Sequence, residues 1–323
     1  MFITPFLILF SAQNKVPATW TEQSFLDRLT VSAPAKLTKF DTGTPPDKSV
    51  SFQAIWVAKV GNTVFQVLAT VASEPGSWKS NTILSGALVG LLKHDSIVIG
   101  ARDIAVQGWQ GLAITTRLKN GTTMAARAFF YDDAIVGINC IYPSKDPHPA
   151  AVDLFFNSLS FKKAGTAKGP GASLDRYDLG DSGISALFPA KPTQYDAPLS
   201  QRPNAQTMHQ FSSDYCARIF LVVYRDSQDQ DIGTLTDDKK KQIYAAATEE
   251  VSRAFKANTS SPREFKVGKD VGSRTALTVA GQAKGEVAVF LHGRHLVTIM
   301  EIGPENYDSP ETVETFLGSL EFK

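Results

Sequence analysis

The chain has 323 residues, 43% hydrophobic and 20% charged, which is enough apolar mass for two domains of ordinary size. Its 33 basic and 32 acidic residues leave a formal net charge of +1. That balance excludes the basic excess on which phosphate-backbone binding depends, so no nucleic-acid partner is expected.

The first residues read MFITPFLILFSAQNK. Phe2 to Phe10 is nearly all apolar, Ser11-Ala12 follows, and a polar segment begins at once. This is the pattern of a secretory signal's apolar region, although no basic residues precede it. The reading is a signal peptide over 1–15 and a secreted or periplasmic protein. The alternative is a first core strand in a cytoplasmic one. Nine apolar residues do not span a bilayer. No other stretch approaches that length, so no transmembrane segment is expected, and envelope association stays open.

A short strand ends at Pro34-Ala35-Lys36. A hairpin follows, SVSFQAIWVAK and TVFQVLATVAS, turning at Val60-Gly61-Asn62. SNTILSGALVGLLKHD then predicts a helix whose Ile83, Leu84, Leu88, Leu91 and Leu92 wrap much of its surface. The expectation is a helix buried in its own domain, rather than one that also meets the sister domain or a partner. His94-Asp95 closes it, a cation near the negative helix end. Three strand segments come next, SIVIGARDIAVQ, GLAITTRLKNGTTMAARAFFY, which turns back on itself at Asn120-Gly121, and AIVGINCIYP after an Asp132-Asp133 turn. Val152, Phe155, Phe156 and Leu159 then make one apolar stripe of a closing helix, with Asp146 as N-cap and Pro147 in the first turn.

KKAGTAKGPGASLDR (162–176) has no apolar period and reads as an exposed linker, its centre at 164–173. Beyond it the chain repeats itself. Pro34, Ala35, Lys36, Thr38 and Asp41 recur as Pro189, Ala190, Lys191, Thr193 and Asp196, at an offset of 155, and Phe40 is matched by Tyr195. Later the offset becomes 161. Phe129, Val136, Ile138 and Pro143 map onto Phe290, Val297, Ile299 and Pro304, and VDLFFNSLSFK (152–162) overlays VETFLGSLEFK (313–323). The second copy carries a hairpin turning at Asp214-Tyr215. Its helix is capped by Thr236, with Tyr244, Ala247, Val251 and Phe255 on one face. Ser309 and Pro310 open its closing helix. The reading is therefore α+β, with two homologous domains at 16–163 and 174–323. Each is an antiparallel β-sheet flanked by helices in an α/β/α sandwich.

Gly180-Asp181-Ser182-Gly183 resembles the nucleophile motif of trypsin-like proteases. No histidine stands in the context that a triad requires, and Ser182 aligns with Asp27 in the first copy, so Ser182 reads as a turn ahead of a strand. His292 and His295 flank a hairpin turn without a third ligand at fixed spacing, which favours a solvated turn over a metal site. The acid pairs Asp132-Asp133, Asp237-Asp238 and Glu249-Glu250 are adjacent residues that point apart. Lys239-Lys240-Lys241 reads as a solvated first helical turn. Trp20, Trp56, Trp78 and Trp109 all lie in the first half, where packing is a commoner use than a ligand groove. Cys140 sits in an alternating apolar run and reads as a buried thiol. Pairing with Cys216, the only other cysteine, stays open if the chain is exported. No residue is assigned a catalytic, cofactor-binding or metal-binding role, and no cofactor is expected.

The order strand, hairpin, helix, three-stranded meander and closing helix resembles the Mog1/PsbP-like superfamily. The FPAKP opening and the FFNSLSF and FLGSLEF endings carry the resemblance. It implies a binding or assembly module, as in extrinsic photosystem subunits, a Ran-binding factor, bacterial lipoproteins and effector chaperones. The expected function is an exported, non-catalytic tandem binding or assembly protein, with an unknown protein or small-molecule ligand in the inter-domain cleft or on a sheet face. The alternatives are a secreted hydrolase with a site in one repeat, around His292 and His295, and a structural envelope protein. An exposed apolar or aromatic patch shared by both copies would favour the first.

Overall fold

The computed structural model describes residues 19–40, 48–92, 96–145, 149–167, 169–198, 207–226 and 235–323. The signal reading at 1–15, the His94-Asp95 helix end, the Asp146-Pro147 cap and the Asp41 member of the repeat lie outside the described residues.

The first half runs β1 (Thr21–Phe25), β2 (Leu29–Ala33), β3 (Thr38–Phe40), β4 (Val50–Val60), β5 (Thr63–Ala72) and α1 (Ser80–Leu92). It continues with β6 (Ser96–Val106), β7 (Trp109–Leu118), β8 (Thr122–Tyr131), β9 (Ala134–Pro143), α2 (Ala150–Asn157) and β10 (Ser160–Phe161). The second half runs β11 (Asp175–Asp178), β12 (Ile184–Phe188), β13 (Thr193–Pro198), β14 (Thr207–Tyr215), β15 (Arg218–Asp226) and α3 (Asp237–Phe255). There follow β16 (Asn258–Thr259), β17 (Arg263–Val267), β18 (Asp270–Val279), β19 (Ala283–His292), β20 (His295–Pro304), β21 (Tyr307–Asp308), α4 (Pro310–Leu317) and β22 (Glu321–Phe322). The described chain is mostly β, with 22 strands and four helices in two sheet-rich halves.

One large sheet has the order β21-β6-β7-β8-β9-β5-β4-β3, and the other β13-β14-β15-β20-β19-β18-β16, with β17 also on β18. Each half adds a small sheet, β1-β2-β10 or β11-β12-β22. Inward alternation builds the strands. On β9, Ala134, Val136, Ile138, Cys140 and Tyr142 are buried while the residues between them are half-buried. Val136 and Ile138 pack with Phe155 and Phe156 of α2 and Leu29 of β2. In the second half the two sheet faces feed different cores. Val287, Val289 and Met300 pack with Ala247 of α3, and Ala288, Phe290 and Ile299 pack with Phe316 of α4.

Several local expectations meet the structure directly. Thr236 caps α3 by accepting a hydrogen bond from the Lys239 N–H at 3.4 Å, and Pro310 opens α4. Others shift. β15 is entered two residues later than Asp214-Tyr215 suggests, through Cys216 and Ala217 at φ 50° and 62°. Tyr215 is apolar enough to stay in the strand, where it is buried. Ser182 stands in a turn ahead of a strand, β12. It lies in a hairpin between β11 and β12, a pair that composition did not reveal.

α1 corrects the largest expectation. It does not bury itself in its own half alone. It lies over β6–β8 and reaches β14, where Ser85 Oγ accepts from the Cys216 N–H at 2.9 Å and Asn81 Nδ2 donates to the Pro189 carbonyl at 2.6 Å. Leu84 and Leu88 share one core with Phe211, Tyr215 and Phe220. An apolar helix surface wider than one sheet can cover takes its second partner across the seam. The segment after β10 is likewise laid down rather than hanging free. Gly165 N–H donates to Gln107 O at 2.9 Å, Ala167 N–H to Gly108 O at 2.8 Å, and Gln110 Nε2 to Gly171 O at 2.6 Å.

Candidate functional site

The seam between the halves is organised by β6. Alternation along the strand sends Arg102 to one sheet face and Asp103 to the other. Asp103 is 6% exposed and accepts four hydroxyl hydrogen bonds, all from the second half. Tyr215 and Tyr307 donate to Oδ1 at 3.3 and 2.6 Å. Thr312 donates to Oδ2 at 3.0 Å, and so does Ser309. Ser309 is the N-cap of α4, yet its hydroxyl turns to Asp103 instead of capping its own helix. Burial, then neighbouring negative charge, pushes the Tyr215 and Tyr307 hydroxyls well up, so they remain donors.

β21 pairs in parallel with β6, Tyr307 opposite Ala101 and Asp308 opposite Arg102, so the second half adds a strand to the first half's sheet. Arg218, 2% exposed, donates Nη1 to the Tyr307 carbonyl at 2.8 Å and stacks 5.1 Å over its ring. Its Nε lies 2.5 Å from the fully buried Glu301 carboxylate.

On the Arg102 face a cleft of about 450 Å³ opens at the seam. Arg102, Arg127 and Asp153 line it from the first half, and Glu305, Asn306 and Asp308 from the second. Small residues form its floor, among them Ala113, Ala125 and Ala126, with Phe156 of α2 beside them. Arg127 donates Nη1 to Phe156 O at 3.2 Å and lies 4.7 Å over the Phe156 ring. Burial lowers its pKa, as does the like charge of Arg102, while Asp153 opposes them. Asp308 pairs with Lys284. Arg102 and Glu305 are exposed and make no ion pair among the described residues.

The residues singled out in the sequence lie elsewhere. Ser182 Oγ donates to Leu179 O at 2.8 Å and accepts from the Ile184 N–H at 3.1 Å, a closed turn. His292 and His295 face each other across the β19–β20 hairpin and part from there. His292 Nδ1 is 3.0 Å from Asp270 and its ring stacks on Phe322 at 4.2 Å, whereas His295 packs edge-on to Tyr224. No group of three metal-ligating side chains converges among the described residues. Cys140 and Cys216 are both free and buried. Burial pushes Cys140 up strongly and Cys216 up to about 11. Trp20, Trp56 and Trp109 pack against Phe65, Phe25 and Tyr131. Arg102, Asp103 and Arg127 were not singled out. Their signal is a charge inside an alternating apolar strand, as in SIVIGARDIAVQ and MAARAFF.

No described helix is long and apolar enough to cross a membrane. No protein-family model matches the chain, and no curated protein matches it in sequence. Among solved structures it is similar to the solution structure of cyanobacterial PsbP (CyanoP) from Synechocystis sp. PCC 6803. That similarity is 15% identity over 47% of this chain and 94% of that one, with a TM-score of 0.34.

Proposed function

We propose that the chain is an exported, non-catalytic binding protein whose ligand sits in the seam cleft. In this reading 16–163 and 174–323 are duplicated α/β/α domains of the Mog1/PsbP-like kind. The observation that carries it is a cleft of ligand size whose walls come from both halves, with charged groups above a floor of small side chains. Ser182 commits its hydroxyl to its own turn, and His292 and His295 pack on separate rings, Phe322 and Tyr224, which favours binding over hydrolysis. The test is a fragment screen with neutral, anionic and cationic compounds, followed by NMR on backbone amides. Shifts at 99–102, 113–115, 125–127 and 305–308 are expected. Saturating fragments that leave those amides unmoved would overturn the reading. Export rests on Phe2–Phe10, and recovery only from cytoplasm with the first 12 residues intact would remove it.

Assembly with a protein partner has one specific observation in its favour. Phe40 and Tyr195, matched in the repeat, are 62% and 61% exposed on the terminal strands β3 and β13. Retention of a native partner by a Phe40→Ser, Tyr195→Ser variant would count against those positions as its contact.

A further inference from the structure

At the offset of 161 the two sheet registers coincide. Arg102, Ala113, Arg127 and Ile138 form one cross-strand row, and Arg263, Arg274, Ala288 and Ile299 form the matching row. In the second half this row is closed by ion pairs. Arg274, 3% exposed, donates Nη1 and Nη2 to the Glu314 carboxylate at 2.7 and 2.6 Å, and its Nε to Glu286. Arg263 lies 3.5 Å from the same Glu286 carboxylate.

The first half keeps the outer members and loses the inner ones. Arg263 and Glu314 correspond to Arg102 and Asp153, while Arg274 and Glu286 correspond to Ala113 and Ala125. Two long side chains reduced to methyl groups leave space on the sheet, and that space is part of the cleft floor. Removing the Glu286 equivalent also takes away the acid that would neutralise Arg102. Arg127, where the second half has Ala288, restores one guanidinium from the neighbouring strand. From the second half Glu305 adds a carboxylate to the lining, without an ion pair among the described residues. Arg102 and Glu305, opposite charges without an ion pair among the described residues, thus face one small-residue cleft, with Arg127 and its neighbour Asp153 beside them. A ligand that supplies both counter-charges on a short apolar body would satisfy them together.

We propose that the cleft binds a small zwitterion of the α-amino-acid class. Its carboxylate lies between Arg102 and Arg127 where Glu286 stands in the second half, its ammonium faces Glu305, and its side chain lies over Ala113, Ala125 and Phe156. This rests on the cleft-binding reading above and adds the ligand class to it. The discriminating set is norleucine, hexanoate, hexylamine and hexanamide, four probes of nearly equal size and different charge. They are titrated against the full chain with NMR on cleft amides. Norleucine is expected to bind at least about tenfold more tightly than hexanoate or hexylamine, the scale of one charge-assisted contact. Arg102→Gln should weaken norleucine and hexanoate alike and leave hexylamine unchanged. Glu305→Gln should bring norleucine down to hexanoate. Both residues are exposed, so the fold survives these changes, and unchanged melting temperatures check that. Ala125→Glu, which restores the missing acid, should abolish norleucine binding. Equal affinity for hexanamide, or norleucine binding indifferent to both charge variants, overturns the ligand class and leaves cleft binding standing. Cleft shifts from screened fragments but from none of these four probes overturn the class in the same way. Silence from the probes and the fragments together overturns both.

Discussion

The Tyr307 hydroxyl of the second half donates a 2.6 Å hydrogen bond to Asp103 of the first. Tyr307 also lies in β21, the strand that the second half lends to the edge of the first half's sheet. One residue therefore fixes the seam by side chain and by backbone together. Because Asp103 and Arg102 are neighbours on β6, the same lock positions the wall of the cleft.

Asp103→Ala leaves four buried hydroxyl donors without their acceptor. The expected loss is about 3 kcal/mol, near the upper end for one hydrogen bond to a charged group, because the four bonds are not additive. Asp103→Asn keeps an acceptor oxygen and should lose less. Urea unfolding followed by fluorescence measures both, and a loss below about 0.5 kcal/mol for the alanine variant would show that the seam does not depend on this carboxylate.

Two carboxylates should respond to pH with opposite signs. Burial raises the Glu301 pKa against the opposing charge of Arg218. Its contribution is fully present below about pH 4.3 and lost as pH rises through the raised value. Glu301→Gln should therefore gain stability relative to the parent between pH 4 and pH 8. Asp133 is lowered, chiefly by its hydrogen bond from Arg28, against a smaller opposing effect of burial. Its contribution is present above about pH 3.9 and lost as pH falls through the lowered value. Asp133→Asn should flatten the acid limb of the stability curve. Urea midpoints from about pH 2 to about pH 8 decide both, and a Glu301→Gln penalty that grows with pH would mean that ion-pair attraction outweighs burial.

The two cysteines should be inert in the folded protein. Both are free and essentially inaccessible, and burial holds each thiol protonated at neutral pH. A disulfide reagent is expected to titrate no thiol under native conditions and two after denaturation. Rapid native reaction at either residue would mean that the seam or the first core opens readily.

Much of the fold was legible because the strands and helices carry their own period. The Thr236 cap, the α2 stripe of Val152, Phe155 and Phe156, and the Asp132-Asp133 turn follow from local rules. The short strands β1, β3, β11 and β13 did not stand out, since three to six residues give too little alternation to read. The seam was illegible for a different reason. Asp103 looks like any surface charge until Tyr215, Tyr307, Ser309 and Thr312, more than 100 residues away in sequence, are brought to it. The cleft floor becomes legible only when the two halves are compared. Ala113 and Ala125 acquire meaning only beside Arg274 and Glu286 in the matched register.

The same register makes a test of close packing that can be run twice. Gly111 on β7 faces Phe129, and a Cβ there would sit 2.5 Å from both the Ala128 carbonyl oxygen and the Phe129 ring. Gly272 on β18, 161 residues later, would place a Cβ 2.3 Å from the Val289 oxygen and 2.6 Å from the Phe290 ring. In each half an aromatic ring covers a glycine, and the near atom on the other side is backbone, which cannot rotate away. Gly111→Ala and Gly272→Ala should each destabilise the protein by about 1–3 kcal/mol, the cost of overpacking a filled site. Gly137 supplies the control, because a Cβ there meets nothing closer than a Leu68 methyl at 3.5 Å. Gly137→Ala should be neutral or stabilise by up to about 1 kcal/mol through the unfolded state. Thermal and urea unfolding of the three variants separates the cases. If Gly111→Ala were tolerated while Gly272→Ala was not, the ring-over-glycine contact would be a feature of the second half alone.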